Sequence, residues 1–182
     1  EARKLGVAPF LEFLGCLGPG TGNCGDAGRC LRALEVCLEL FDGAASHAAR
    51  LAATCSHASV RAQAARWLGV HGKPAELEPL LKDGSALVQR NAVESATRFW
   101  RAPGANALVE PVFRLASGSD RRLRQAGIAS LSHLDAARLP AAKTAGEKIV
   151  RGWVLTRATE RGKIPAESLE LALGILREKN AD

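Results

Sequence analysis

The chain contains no methionine and no tyrosine, and aromatic residues make up only 4% of its 182 residues. So few rings leave little with which to clamp a flat ligand. They also argue against strands, which favour aromatic and β-branched side chains. No run of about 18 uninterrupted apolar residues occurs, so no transmembrane helix is expected. The glycine-rich string GPGTGNCGDAG lacks the Lys-Ser/Thr ending of a phosphate-binding loop. There is no C-x2-C pair, and no His-Glu-x-x-His, EF-hand or paired-carboxylate pattern. His47, His57, His71 and His133 are scattered and follow no triad order. No catalytic residue, metal site or cofactor is therefore expected.

What is present is apolar and helical in character. Hydrophobic residues account for 47% of the chain and charged ones for 24%, too apolar and too weakly charged for a disordered protein. The apolar share comes mainly from Ala and Leu, which favour helices. The expected class is all-α. Glu1 rather than Met stands first, which reads as a processed form, so a missing targeting signal says nothing of compartment.

Five cysteines are crowded into one end: Cys16, Cys24, Cys30, Cys37 and Cys55. This clustering suggests a cross-linked N-terminal loop, and a periplasmic or secreted setting over a cytoplasmic one. Cys30 and Cys37, seven apart on one expected helix, are separated by about 10 Å of rise and cannot pair with each other. Cys16 and Cys24 could pair across the loop, and Cys30 or Cys37 could reach Cys55. The alternative is five reduced thiols packed as small hydrophobes.

Periodicity and punctuation predict helices over residues 5–16, 27–42, 46–55, 59–70, a short one from Pro74, 86–100, 105–117, 120–134, 141–160 and 166–179. Asp26, Ser46, Ser59 and the Ser119–Asp120 pair are the expected N-caps, and Pro140 and Pro165 the expected openings of the last two helices. The turns between them are short enough to make successive helices neighbours.

Self-similarity adds organisation. SVRAQAARWLG from Ser59 aligns with LVQRNAVESAT from Leu87 and with RLRQAGIASLS from Arg122. Val60, Val88 and Leu123 fall in one column; Ala64, Ala92 and Gly127 in the next; then Ala65, Val93 and Ile128; then Leu68, Ala96 and Leu131. Leu77, Leu80 and Leu81 precede Asp83, as Leu108, Val112, Phe113 and Leu115 precede Asp120. Each unit is a helix pair whose apolar stripe needs a neighbour to hide it. Ala64, Ala92 and Gly127 are expected to let neighbouring second helices approach. Asp83 and Asp120 are expected to cap the next helix and to pair with Arg on adjacent helices.

VRAQAARWLGVHG followed by ELEPLLKDGSALVQRNAVESA resembles the HEAT-repeat class in its short bacterial form. The resemblance covers residues 44–134, with 140–179 as a degenerate further pair. The Arg of the pattern is Gln89 in the second copy, and His57–Ala58–Ser59 stands where an Asp precedes Val60. The resemblance implies a right-handed α-solenoid of about four stacked antiparallel pairs over residues 44–182, with residues 1–43 as a Cys-rich cap. It also implies a non-enzymatic protein-binding or scaffold module using the second-helix face.

Charge divides along the same line. Residues 1–57 hold five Lys/Arg against six Asp/Glu, and residues 58–182 hold twenty against thirteen. Arg90, Arg98, Trp100, Arg101, Arg121, Arg124, Arg151, Trp153 and Arg157 form the expected basic and aromatic face, which would attract an acidic partner or nucleic acid. Packing in or at the edge of the core is the expected state of all three Trp. The alternative function is nucleic-acid binding, including a DNA-repair enzyme similar to the HEAT-like alkylpurine glycosylases. Those enzymes set Trp and Asp in a basic groove. Here His71, Gly104 and Arg157 follow Trp67, Trp100 and Trp153 at the spacing where Asp is wanted.

Overall fold

The computed structural model describes residues 26–40, 49 and 52–160, the side chains of 37–40 excepted. These residues form seven α-helices and two 3-10 turns, with no strand among them. The helices are α1 (Ala27–Leu40), α2 (Ala58–His71), α3 (Pro74–Leu81), α4 (Ala86–Ala96), α5 (Asn106–Ser117), α6 (Arg121–Leu131) and α7 (Ala145–Glu160). The expected helices at 5–16 and 166–179 and half of the one at 46–55 lie outside the described residues, as do Cys16, Cys24 and the side chain of Cys37. Cys30 and Cys55 are both buried, and Cys55 Sγ accepts the His57 N–H.

Side chains set most helix starts. Asp26 accepts the Arg29 N–H at 2.9 Å and caps α1. Asp120 caps α6 by accepting the N–H groups of Arg122 and Leu123. Two starts differ from expectation. The α2 cap is His57, whose carbonyl takes the Val60 and Arg61 N–H groups, so Ser59 already lies inside the helix and is exposed. Helix α7 begins at Ala145, not beside Pro140. Glu147 accepts the N–H groups of Lys143 and Thr144, while its own N–H goes to Thr144 Oγ1. This reciprocal Thr-x-x-Glu box fixes the start. Helix α4 gives way after Ala96 to a 3-10 turn, Thr97–Phe99. There Thr97 and Trp100 bond across to Ser130 of α6.

Helix α4 packs between α2 and α6, while α5 packs between α3 and α7. The two rows meet where α3 packs on α4 and α5 on α6. Helices α2, α4 and α6 point the same way. Arg61 near the start of α2 bonds Asp83 just ahead of α4, Arg66 bonds Asn91 at mid-helix, and Gly69 touches Ser95 near both ends. Thr97 and Ser130 likewise join the ends of α4 and α6. All four aligned apolar columns are buried in all three copies. The first-helix residues Leu77, Leu80, Leu81, Leu108, Val112 and Phe113 are buried too.

One column works differently from expectation. A Cβ on Gly127 would stand 2.5 Å from Ala116 Cβ, so Gly127 admits α5 rather than a neighbouring second helix. Close approach between second helices occurs at Gly69, where an added Cβ would lie 2.6 Å from Ser95 Cβ. Asp83 does both things asked of it. It takes a paired hydrogen bond from Arg61, Nε to Oδ2 at 2.7 Å and Nη2 to Oδ1 at 3.0 Å, and accepts the Ser85 N–H ahead of α4. In the next copy Gln89 stands in the column of Arg61, and Asp120 is exposed and caps α6.

Two outcomes follow from these contacts. Ala for Gly inside a helix ordinarily stabilises by about 1 kcal/mol. At Gly127 the clash with rigid Ala116 atoms outweighs that gain. Gly127→Ala should destabilise by about 1–3 kcal/mol, and adding Ala116→Gly should recover part of it in thermal unfolding. The Arg61 hydrogen bonds hold the Asp83 carboxyl below its ordinary 3.8, with burial opposing and the Ser85 N–H assisting. A depressed folded value contributes stability that is present above the ordinary value and lost as pH falls through the folded one. Asp83→Asn should cost about 2 kcal/mol at pH 7, between typical exposed and buried pairs. In urea unfolding the gap should close as pH drops below the ordinary carboxylate range. An equal gap at pH 7 and pH 3 would rule out the pair as its source.

Candidate functional site

Helical spacing that buries four columns must expose the columns between them. Ser59, Leu87 and Arg122 are exposed at equivalent places, as are Val70, Arg98 and His133 one helix length further on. Between them, Arg66 and Glu94 are exposed at one level and Arg90 and Gln125 at another. The outer face of α2, α4 and α6 thus carries Arg66, Arg90, Arg98 and Arg122 around the apolar Val70 and Leu87, which are 53% and 49% exposed. Glu94 is the acidic residue of these columns, and it pairs with Arg90 at 2.8 Å. The face is cationic with apolar points set into it.

The residues expected to form one basic and aromatic face are divided among several places. Arg90 and Arg98 lie on the outer face. Arg121 is exposed at the first position of α6, beside Arg122. Arg124 turns back to the Gly118 carbonyl at 2.7 Å. It repeats Arg61, which bonds the Cys55 carbonyl, also six residues earlier, at 2.7 Å. Both fasten the start of a second helix to the turn before it. Arg151 does similar work, donating to the carbonyls of Leu139 and Pro140. Trp100 is buried, its indole N–H on the Ser130 carbonyl at 2.8 Å, and Trp67 is buried in the core. Trp153 departs from the expected packing. It is 58% exposed on α7, one turn after the 50% exposed Ile149 and one turn before the exposed Arg157. Helix α7 packs on α5 and α6, so these three residues belong to a different surface.

At the C-terminal end of α4 the outer face runs into a shallow groove of about 590 Å³ at the α4–α5 turn. Trp100, Arg101, Gly104, Asn106 and Arg138 line it among others. Gly104 has φ +82°, a left-handed value that suits glycine. Arg138 donates Nη1 to the Trp100 carbonyl at 2.6 Å and Nε to Asn106 Oδ1 at 2.9 Å. Arg66, Leu87 and Arg138 are not among the residues expected on the basic face. The first two sit in columns of the repeat alignment that flank the buried ones, so the signal for them is present in the sequence. Arg138 lies after the aligned segment, and nothing local marks it.

No group of three or more His, Cys, Asp or Glu that could hold a metal occurs among the described residues. No helix among them is long and apolar enough to cross a membrane. Comparison with protein-family models, with curated proteins and with solved structures finds no match to this chain.

Proposed function

We propose that the chain is a HEAT-like α-solenoid of antiparallel helix pairs that binds another protein through the outer face of α2, α4 and α6, and that it acts as a scaffold rather than as a catalyst. The observation that carries this reading is the recurrence, in three copies, of the same buried and the same exposed columns. Stacked units of this kind present a long continuous surface, which suits an extended partner. The chemistry of the surface favours a protein. Arginines surrounding Val70 and Leu87 resemble an interface in which apolar points are ringed by cations that bond and stack.

The nucleic-acid alternative draws on the cationic excess of the same face. Its glycosylase form relied on Trp in the groove. Trp67 and Trp100 are buried, and Trp153 stands on α7. No Phe, Tyr or Trp is among the exposed residues of this face.

The test is retention of a discrete protein partner on the immobilised full chain, compared with a Leu87→Asp, Arg98→Glu variant. Both positions are exposed, so the variant should fold with unchanged far-ultraviolet circular dichroism. The expected result is a partner bound about tenfold more weakly by the variant, a loss typical of central interface residues. Equal retention by both proteins contradicts the reading. So does tight DNA binding with steep salt dependence, which would favour the alternative.

A further inference from the structure

We propose that the groove at the α4–α5 turn receives an acidic peptide segment, with one carboxylate on Arg101 and another on Arg138. This rests on the reading of the chain as a protein-binding module, and it locates where an acidic part of the partner lands.

The groove has the size of ordinary ligand pockets, about 300–1,000 Å³. Its lining contains two arginines and no Asp or Glu. Arg138 is held in place by the Trp100 carbonyl and the Asn106 amide oxygen, which engage two of the five N–H donors of a guanidinium. A cation fixed in this way loses little freedom when a carboxylate docks, so its remaining donors form a prepared fork. Arg101 is exposed, and no acidic side chain pairs with it among the described residues. It can close on the ligand from the other side.

Two features favour a peptide over a nucleic acid. Base binding wants exposed aromatic faces, and the one aromatic residue here, Trp100, is 3% exposed with its indole N–H already bonded. The remaining walls include Ala102 and Pro103, small apolar surfaces that suit a side chain between two acidic ones. Two guanidiniums around a small apolar floor match an acidic–small–acidic pattern. They do not form the long cationic track that a phosphate backbone needs.

The experiment is fluorescence anisotropy on the full chain with a labelled Glu-Ala-Glu-Ala-Glu peptide, with a labelled ten-nucleotide thymidine strand as the comparison. Arg101→Glu and Arg121→Glu make the same change of charge, one in the groove and one at the opposite end of the second-helix row. Arg138 is left unaltered because it also holds the Trp100 carbonyl. The expected result is saturable peptide binding, about tenfold weaker in Arg101→Glu and unchanged in Arg121→Glu. Absence of peptide binding overturns the proposal. Equal weakening by both variants also overturns it, because the attraction would then be diffuse. Tighter binding of the thymidine strand than of the peptide does so as well. If the groove fails while the Leu87- and Arg98-dependent partner is still retained, the broader reading stands. If the peptide binds as expected while partner retention ignores Leu87 and Arg98, the groove stands and the face does not.

Discussion

Each of α2, α4 and α6 carries the same apolar stripe, and a helix of 11 to 14 residues has no means of hiding it alone. The stripes hide one another. Val88, Ala92, Val93 and Ala96 of the central helix are all fully buried, since α4 has α2 on one side and α6 on the other. Side chains in this row are small, so the backbones come close, and the Gly69–Ser95 contact marks that closeness. Close approach leaves no space for added volume, which is how packed interiors respond to even one methyl group. It also explains why so few aromatic residues suffice. Rings would hold the helices apart, and of the two buried Trp, Trp100 lies past the end of α4 and is hydrogen-bonded across to α6.

Once the row is set, its polar groups sort themselves by position. Arginine does two different jobs. Arg61, Arg124, Arg138 and Arg151 reach back to carbonyls at turns, and Arg61 also carries the paired contact with Asp83. These arginines fasten connections. Arg66, Arg90, Arg98 and Arg122 stand on the outer columns and give that face its sign, though Arg66 and Arg90 also bond to Asn91 and Glu94 on the row itself. The modest excess of positive charge in residues 58–182 is therefore less available than a count suggests. A partner would meet it on the outer face and around the groove at the end of α4.

Much of the architecture was legible in the residues. Asp26 and Asp120 announced their helices because a carboxylate ahead of an apolar periodic run has few other uses. The columns Val60–Val88–Leu123 and Leu68–Ala96–Leu131 were visible because burial repeats at helical spacing. Other features were harder to read. Pro140 reads as the natural opening of α7, but Thr144 and Glu147 bond each other's backbone and fix the start at Ala145. Gly127 meets α5 and not a neighbouring second helix, because spacing tells which face a residue occupies and not which helix covers it. The candidate site suffered for the same reason. A list of arginines near helix ends does not separate those that turn inward to carbonyls from those that stay in water. Trp153 shows the converse, since nothing in its spacing reveals that the helix face it occupies is open.

The central claim is that α2, α4 and α6 form a regular row with equivalent outer columns. Spin-label distances across that row test it most directly, with labels attached by a non-cysteine chemistry at Val70 and Arg98 in one sample and at Val70 and His133 in another. Helices packed side by side stand about 8–10 Å apart. The account predicts a separation of about 10 Å for the first pair and about 20 Å for the second. A second separation equal to the first, or a broad distribution in either sample, would contradict it.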